Sequence, residues 1–213
     1  MAIVTNTFQT FQAVGDREDL TDIIYNISPT ETPMMSSIGK EKATGVLHEW
    51  QTDALAAAAS NNHHIEGDEI SFGAVSPTAR INNHTQISRK AVVVSGTQDA
   101  VNKAGRNNEL AYQISKSSKE LKRDMETTLC LNQTGTAGST GAARKLSGLA
   151  SWIQASTSVG TSGANGQVSS VDTPGTARTD GTQRAFTEAQ LKDVVKKCWD
   201  EGGDPSMIML GSF

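Results

Sequence analysis

Two runs of sequence decide how this chain folds: Val46-Leu47-His48-Glu49-Trp50-Gln51-Thr52, and residues 78–94, which end in Ala91-Val92-Val93-Val94. The first run alternates in residue type, as a half-buried strand does. The second run starts polar and ends in the apolar, β-branched stretch that strands favour. We predict two extended strands, which together with their connection form a ribbon over residues 46–94.

The connection between these strands, residues 53–77, is acidic and carries no lysine or arginine. It has too few large apolar residues near its tip to bury against its own chain, and an isolated two-stranded ribbon is marginal in water. The ribbon therefore needs a partner. Its acidic residues are Asp53, Glu66, Asp68 and Glu69.

The composition excludes several classes of protein. The chain has 213 residues, a formal net charge of −4, 36% hydrophobic residues and 5% aromatic residues, which is lean for a globular enzyme. A mildly acidic chain is poorly suited to wrap DNA without specificity. No apolar run is long enough to span a bilayer, and the first eleven residues lack the layout of a secretory signal. Cys130 and Cys198 suggest reduced packing residues rather than a disulfide framework.

The strongest helix prediction covers residues 107–132, with Asn107 or Asn108 as its cap. Apolar residues spaced by four or seven positions form one stripe along it: Leu110, Ile114, Leu121, Met125 and Leu129. The other face is basic, with Lys116, Lys119, Lys122 and Arg123. Residues 103–145 contain eight basic and four acidic residues, a balance of +4, whereas residues 53–69 contain four acids and no base, a balance of −4.

Other segments carry weaker signals. Residues 16–27 predict a short helix, residues 135–143 a flexible linker, and residues 154–184 a long surface loop. Thr187 and Gln190 match a capping box, which predicts a helix over residues 188–201. Residues 207–210 predict a short buried strand. Because a helix followed by such a strand is half of an α/β unit, we expect the chain to be incomplete at its C-terminus relative to its relatives.

No enzyme site is predicted. His63 and His64 are adjacent, so on a strand they point to opposite sides, and no spacing typical of a metal site supports them. Residues 138–145 resemble a phosphate loop faintly but lack its Gly-Lys-Ser/Thr ending. No serine lies in a Gly-x-Ser-x-Gly elbow. We therefore predict no catalytic, cofactor-binding or metal-binding residue and no cofactor.

The order of a loose amino-terminal arm, a long ribbon, a long helix and a separate α/β piece resembles the major capsid protein of tailed bacteriophages. Local sequence adds to the resemblance, which is to the SU-ten-like major capsid proteins and covers essentially the whole chain. The matching blocks are Ile27-Ser28-Pro29-Thr30-Glu31-Thr32-Pro33-Met34-Met35-Ser36-Ser37-Ile38-Gly39, Leu47-His48-Glu49-Trp50-Gln51-Thr52-Asp53-Ala54-Leu55 and Ile65-Glu66-Gly67-Asp68.

The resemblance implies an α+β fold of the tailed-phage capsid type, divided by segment. Residues 1–45 would be the N-terminal arm and residues 46–94 the extended loop, a β-ribbon that reaches over an adjacent subunit. Residues 95–145 would hold the spine helix of the peripheral domain with a linker, and residues 146–213 the beginning of the axial domain. None of these roles is catalytic.

The resemblance also implies partners: further copies of the chain in hexamers and pentamers, packaged DNA on the inner face without sequence specificity, and no membrane. Scaffolding, portal and decoration proteins would be separate chains. The protein would lie in the virion capsid after assembly in the host bacterial cytoplasm. No lysine occurs between Lys42 and Lys90, so we expect no lysine–asparagine crosslink from the extended loop, and shell contacts that are non-covalent.

The opposite charges of the ribbon tip and the long helix predict where copies meet. A contact between two different patches is heterologous and closes into rings when the rotation suits. We expect Asp68 or Glu69, with Asp53 and Glu66 nearby in sequence, to approach basic residues of a neighbouring copy. The leading candidates for those basic residues are Lys119, Lys122 and Arg123, with Lys116 on the same face.

Two alternatives stay open at this point. An encapsulin-like shell protein would share the fold and enclose an enzyme instead of DNA. A nucleic-acid-binding module would use residues 103–145 as its contact surface, although the acidic net charge and the lack of stacking aromatic residues near that surface weigh against it.

Overall fold

A computed structural model describes residues 7, 14, 22–168 and 175–211 of the chain. The described part contains both helices and strands, which confirms the α+β class. Its elements in chain order are α1 (Pro33–Ser37), β1 (Leu47–Thr52), β2 (Ala79–His84), α2 (Gly96–Ala100), α3 (Glu109–Cys130), α4 (Leu149–Trp152) and α5 (Glu188–Asp200).

The chain divides into two compact units. The first takes the described residues of Met1–Thr30 and Lys90–Glu120, and the second takes those of Glu31–Arg89 and Leu121–Phe213. Helix α3 begins in the first unit and ends in the second. The boundaries of the arm, loop, peripheral and axial segments expected from the sequence stay predictions.

In the first unit, a buried carboxylate organises the start of α3. Asn108 caps the helix, with its Oδ1 accepting from the Ala111 amide at 2.7 Å, as one of the two predicted caps. The Glu109 amide donates to Asp99 Oδ1 at 3.0 Å, and its carboxylate accepts from Gln113 Nε2 at 2.7 Å and from Arg106 Nε. These two side-chain hydrogen bonds, from Gln113 first and then Arg106, lower the pKa of Glu109 below its ordinary range.

Helix α2 lies beside this carboxylate and is capped at both ends by side chains. Ser95 Oγ accepts from the Gln98 amide at 3.2 Å, which satisfies one of the free amides at the start of the helix. At the other end, Lys103 Nζ donates to the carbonyl oxygens of Gln98 and Asp99 at 2.9 and 2.8 Å. A cation at the C-terminal carbonyls complements the helix dipole, so a helix of only five residues is held at both termini.

In the second unit, β1 and β2 form an antiparallel ribbon, with Leu47 opposite His84 and Thr52 opposite Ala79. The first predicted strand is confirmed within one residue. The second was expected over residues 78–94 and is wrong in length, because β2 ends at His84. One further backbone bond joins the Thr85 amide to the Val46 carbonyl at 2.9 Å, and beyond it no strand residue of β1 remains to pair with.

A small polar cluster joins the end of α3 to α4. The Gln133 carbonyl accepts from the Gly148 amide at 3.0 Å, and the hydroxyls of Ser147 and Ser151 lie 3.2 and 2.7 Å from it. Ser151 is fully buried. The approach depends on glycine: a Cβ on Gly148 would lie 1.9 Å from the Leu131 carbonyl oxygen.

Residues 33–37, which include Met34 and Met35, fold into α1 because of a tertiary contact. The two carboxylate oxygens of Glu126 accept from the amides of Met34 and Met35 at 2.6 and 2.8 Å. Glu126 lies in the second half of α3. A charged acceptor thus satisfies two of the free amides at the start of α1, a role that a local capping side chain usually plays.

The predicted flexible linker at residues 135–143 is wrong. Thr136 and Lys145 exchange both backbone hydrogen bonds, at 2.9 and 3.1 Å, and Ser139 and Ala142 exchange theirs at 2.8 and 3.2 Å. Gly138, with φ of +72°, allows the chain to turn back on itself. The stretch is a tight hairpin, so its glycine content serves a turn rather than mobility.

Helix α5 confirms the prediction for residues 188–201. The Gln190 side chain accepts from the Thr187 amide at 3.4 Å, which is one half of the expected capping box. The surface loop that precedes α5 contains two antiparallel bridges, Ala164 with Thr179 and Gln167 with Thr176. Lys197 on α5 donates to the carbonyl of Thr157 in this loop at 2.9 Å, which ties the helix to it.

Two predicted elements are wrong in the described residues. Residues 207–210 form no strand, since no other described strand lies beside them to pair with. In the helix expected over residues 16–27, residues 22–27 are not helical, and residues 16–21 lie outside the described ranges. Asp22 Oδ1 accepts instead from the Gly105 amide at 3.0 Å, and Asn26 Oδ1 accepts from Ser28 at 3.2 Å. Polar side chains that bond backbone outside the helix compete with helix formation.

The buried side chains in the described part of the chain are polar or charged. None of its apolar side chains is buried, whereas four polar or charged residues are. Those four are Asn82, Glu109, Ser147 and Ser151. Since apolar burial is the main force that stabilises a folded chain, the described residues offer large apolar surface for contact with something else.

Replacing Gly148 with alanine should destabilise the second unit by about 3 kcal/mol, the upper end of the usual range for overpacking. The reason is the Leu131 carbonyl oxygen, 1.9 Å from the position of the new Cβ. Chemical unfolding followed by circular dichroism measures the change. Gly141→Ala is the matched control, because a Cβ there meets nothing within 4 Å. Equal stability of the two variants would contradict the close approach.

The pH dependence of stability should include a contribution from Glu109. Because the folded state lowers its pKa, this group stabilises the protein fully above its ordinary pKa, and the contribution is lost as pH falls through the lowered value. Wild-type protein and Glu109→Gln should therefore differ in unfolding midpoint at neutral pH and converge in acid. Glu188→Gln is the control, since Glu188 is 77% exposed in its pair with Lys192. A difference that persists unchanged in acid would exclude the mechanism.

Candidate assembly surfaces

The base of the ribbon is held by contacts with α4 and with Ser147, two residues before this helix. Asn83 and Ser147 bond reciprocally: the Ser147 amide donates to Asn83 Oδ1 at 2.9 Å, and Asn83 Nδ2 donates to the Ser147 carbonyl at 3.3 Å. On β1, the Trp50 ring packs on Trp152 with 5.2 Å between centroids. These contacts fix the strand pair and leave the ribbon beyond Thr52 to project from it.

We call residues 53–77 the distal ribbon. Thr78 Oγ1 donates to Gln51 Oε1 at 2.8 Å where the strand pair ends. Beyond that point, the backbone–backbone hydrogen bond of the distal ribbon is a local one, from the Asp68 amide to the Ile65 carbonyl at 3.1 Å. Gly67 supports this turn with φ of +85°. Every residue of the distal ribbon is exposed.

The four acidic residues predicted from the sequence lie on this exposed segment. Asp68 Oδ1 accepts from the Glu69 amide at 3.0 Å, and Asp53 Oδ1 accepts from the Ala54 amide at 2.9 Å. In the described residues, no cation lies within ion-pair distance of Asp53, Glu66, Asp68 or Glu69. Their negative charge is therefore available to an external partner.

The four basic residues predicted on the long helix are exposed along α3. Lys116 pairs with Glu120 at 3.9 Å, one turn away. Across the described ranges, the structure gives no ion pair to Lys119, Lys122 or Arg123. The structure contains one chain, so the contact between these bases and the ribbon acids of another copy stays a prediction.

Sequence reasoning missed the apolar residues of the distal ribbon. They are almost fully exposed, at 101% for Leu55, 82% for Ile65, 78% for Ile70, 95% for Phe72 and 94% for Val75. Their signal was present in the sequence as large apolar residues in a segment otherwise rich in alanine, asparagine and acids. These residues are few and show no regular period, so local sequence patterns do not single them out.

The histidines and cysteines are the remaining candidates for metal binding or nucleophilic chemistry in the described residues. The described part of the chain contains no group of three or more histidine, cysteine, aspartate or glutamate side chains that could hold a metal ion. His64 Nε2 lies 3.2 Å from Asn62 Oδ1 on the exposed ribbon. Desolvation raises the pKa of the Cys130 thiol, and the nearby Glu126 carboxylate adds to the effect, so this cysteine, although exposed, stays protonated and a weak nucleophile at neutral pH.

Membrane insertion through a helix finds no support in the described part of the chain. Its longest helix, α3, has 22 residues but carries charges along its length, and none of the helices there combines the length and apolar character that a membrane span needs.

Comparison with known proteins gives two matches. The family model of the SU10 major capsid protein matches residues 3–213. The major capsid protein of Escherichia phage Phieco32 is 32% identical over 231 aligned positions, which cover 95% of this chain. The chain spans 66% of the length of that relative.

Proposed function

Because the chain belongs to the SU10 major capsid protein family, we propose that it builds the icosahedral head shell that encloses phage DNA. Copies of the chain would associate through their ribbons and arms into hexamers and pentamers. The role is structural, without catalysis or cofactor. The protein would lie in the virion capsid, after assembly in the cytoplasm of the host bacterium.

The observation that carries this proposal is the distal ribbon. Its base is fixed by Asn83–Ser147 and Trp50–Trp152, whereas its outer residues contact little of their own chain. A projecting segment with exposed apolar and acidic side chains has no stabilising role within the monomer. It gains one only when a surface of another molecule covers it.

Charge supports a second copy as that molecule. Residues 53–69 carry four acids and no base, and residues 103–145 have an excess of four bases. We propose that Asp68 or Glu69 meets Lys119, Lys122 or Arg123 of the neighbouring copy, with Asp53, Glu66 and Lys116 at the edges of the contact. Since ribbon and helix are different patches, the contact is heterologous and closes into rings.

The remaining segments take roles by family. We propose that residues 1–45 form the arm that lies across neighbours, residues 95–145 the peripheral part with α3 as spine, and residues 146–213 the beginning of the axial part. Separate scaffolding, portal and decoration proteins, and DNA on the inner face, complete the proposed partners.

The balance of charge on α3 argues against a nucleic-acid-binding module. Residues 103–145, the surface that such a module would use, hold eight bases, but the four bases on α3 share that helix with four acids, Glu109, Glu120, Asp124 and Glu126. Affinity for the phosphate backbone comes from clustered lysine and arginine without opposing acids. An encapsulin-like shell with an enzyme cargo would have the same self-association and differs in what it encloses.

Electron microscopy of the purified protein in negative stain tests the proposal directly. We expect rings or closed shells at high protein concentration, and mass photometry should show hexamers or pentamers among the species. Protein that remains monomeric over the whole accessible concentration range would overturn self-assembly. Salt-dependent binding of monomers to duplex DNA would instead favour the nucleic-acid-binding module.

Charge exchange tests the proposed contact. Asp68→Lys with Glu69→Lys should weaken association, as should Lys122→Glu with Arg123→Glu, because each change places like charges opposite one another. Combining all four should restore part of the affinity, since each exposed pair contributes about 0–1 kcal/mol. Sedimentation velocity at low salt measures the effect. Lys192→Glu with Lys196→Glu on α5 is the matched control, and absence of rescue would contradict this pairing of surfaces.

A further inference from the structure

The apolar and the acidic residues of the distal ribbon have different roles in the proposed contact. We propose that Ile65, Ile70, Phe72 and Val75 are the anchors that become buried on a neighbouring copy, while the acidic residues steer the approach and set its orientation. This inference rests on the proposed function, and it names which side chains hold the copies together.

The exposure of these residues is the first argument. Phe72 and Val75 are 95% and 94% exposed, and Ile65 and Ile70 are 82% and 78% exposed. A soluble monomer exposes single apolar residues freely, but a contiguous group of them marks an interaction site. Here four large apolar residues fall within eleven positions of a segment in which every residue is exposed.

The local backbone supplies the second argument. Residues 69–78 are neither helical nor paired in a strand. If this stretch is extended where it meets a neighbour, side chains two positions apart point to the same side, and Ile70 and Phe72 then enter one apolar surface together. Gly73 follows them and would allow the backbone to approach that surface closely.

The free energy of apolar burial, compared with that of an exposed ion pair, indicates which side chains hold the contact. Complete burial of a large apolar side chain changes an association constant by roughly 10- to 100-fold. An exposed ion pair changes it by at most about fivefold, and salt weakens that effect. A contact held mainly by the acids would be weak and salt-sensitive, whereas anchors of this size would keep it in place in salt.

The charges favour a second copy of the chain as the molecule that covers these anchors. The acids beside the anchors, Glu66, Asp68 and Glu69, have no cation within ion-pair distance in the described part of their own chain. The same polypeptide carries the unpaired bases Lys119, Lys122 and Arg123 on α3. Apolar anchors flanked by acids thus match a neighbour whose exposed surface includes these bases.

Single substitutions in the full chain test the inference. Phe72→Ala and Val75→Ala should each weaken self-association by roughly 10-fold or more, as measured by sedimentation velocity over a concentration series. The effect should persist at high salt. Asp68→Asn with Glu69→Gln should weaken association at low salt only. Val101→Ala is the control for Val75→Ala, because this valine is also exposed, at 55%, and lies outside both the ribbon of residues 46–94 and the arm.

Hydrogen exchange supplies an independent measurement. Amides of residues 53–77 should exchange fast in dilute monomer and become protected in the associated protein. Circular dichroism should be the same for all variants, since the substituted side chains pack against little of their own chain.

The outcomes separate this inference from the proposed function. If wild-type protein associates but Phe72→Ala and Val75→Ala behave as Val101→Ala does, the anchors are wrong and self-assembly stands. The same conclusion follows if the amides of the distal ribbon stay unprotected in the associated state. It also follows if the acid variants weaken association more than the apolar variants do at every salt concentration. If wild-type protein never associates, the proposed function and the anchors fall together.

Discussion

The carbonyl oxygen of Gln133 is the point on which the second unit depends. It accepts from the Gly148 amide, and the Ser147 and Ser151 hydroxyls lie within hydrogen-bond distance of it, so the chain after α3 and the start of α4 are held at backbone contact. Such closeness requires glycine at position 148. Ser147 then holds Asn83, and Trp152 on α4 holds Trp50, so this cluster is among the contacts that set the direction of the ribbon.

A buried polar cluster of this kind fixes the positions of the elements that it joins. Hydrogen bonds are directional, and buried polar groups that lose a partner incur a cost of about 1–3 kcal/mol each. The ribbon base is therefore positioned accurately even though the described residues bury no apolar side chain. Apolar surface that would stabilise a monomer is left on the outside, where contact between copies can bury it. This division links the geometry of the cluster to assembly.

The elements that the sequence predicted correctly are those whose stabilising interactions are local. Helices α3 and α5 follow from apolar spacing and from local capping, by Asn108 for α3 and by the pair Thr187 and Gln190 for α5. The ribbon follows from strand-like alternation over residues 46–52. The errors share the opposite property. Residues 207–210 have strand composition but no strand partner in the described chain, and the expected linker at 135–143 is a hairpin closed by Thr136 and Lys145.

For the candidate site, the sequence by itself determined the charge of the two surfaces and the absence of any base on the distal ribbon. Charge and composition are properties of the residues and do not depend on where the chain places them. Only the tertiary structure decided that the ribbon is fixed at its base and open beyond Thr52, that Phe72 and its apolar neighbours are exposed, and that Glu126 holds the start of α1. Each of these depends on groups far apart in sequence, such as Asn83 with Ser147 or Met34 with Glu126, and local patterns carry no information about such pairs.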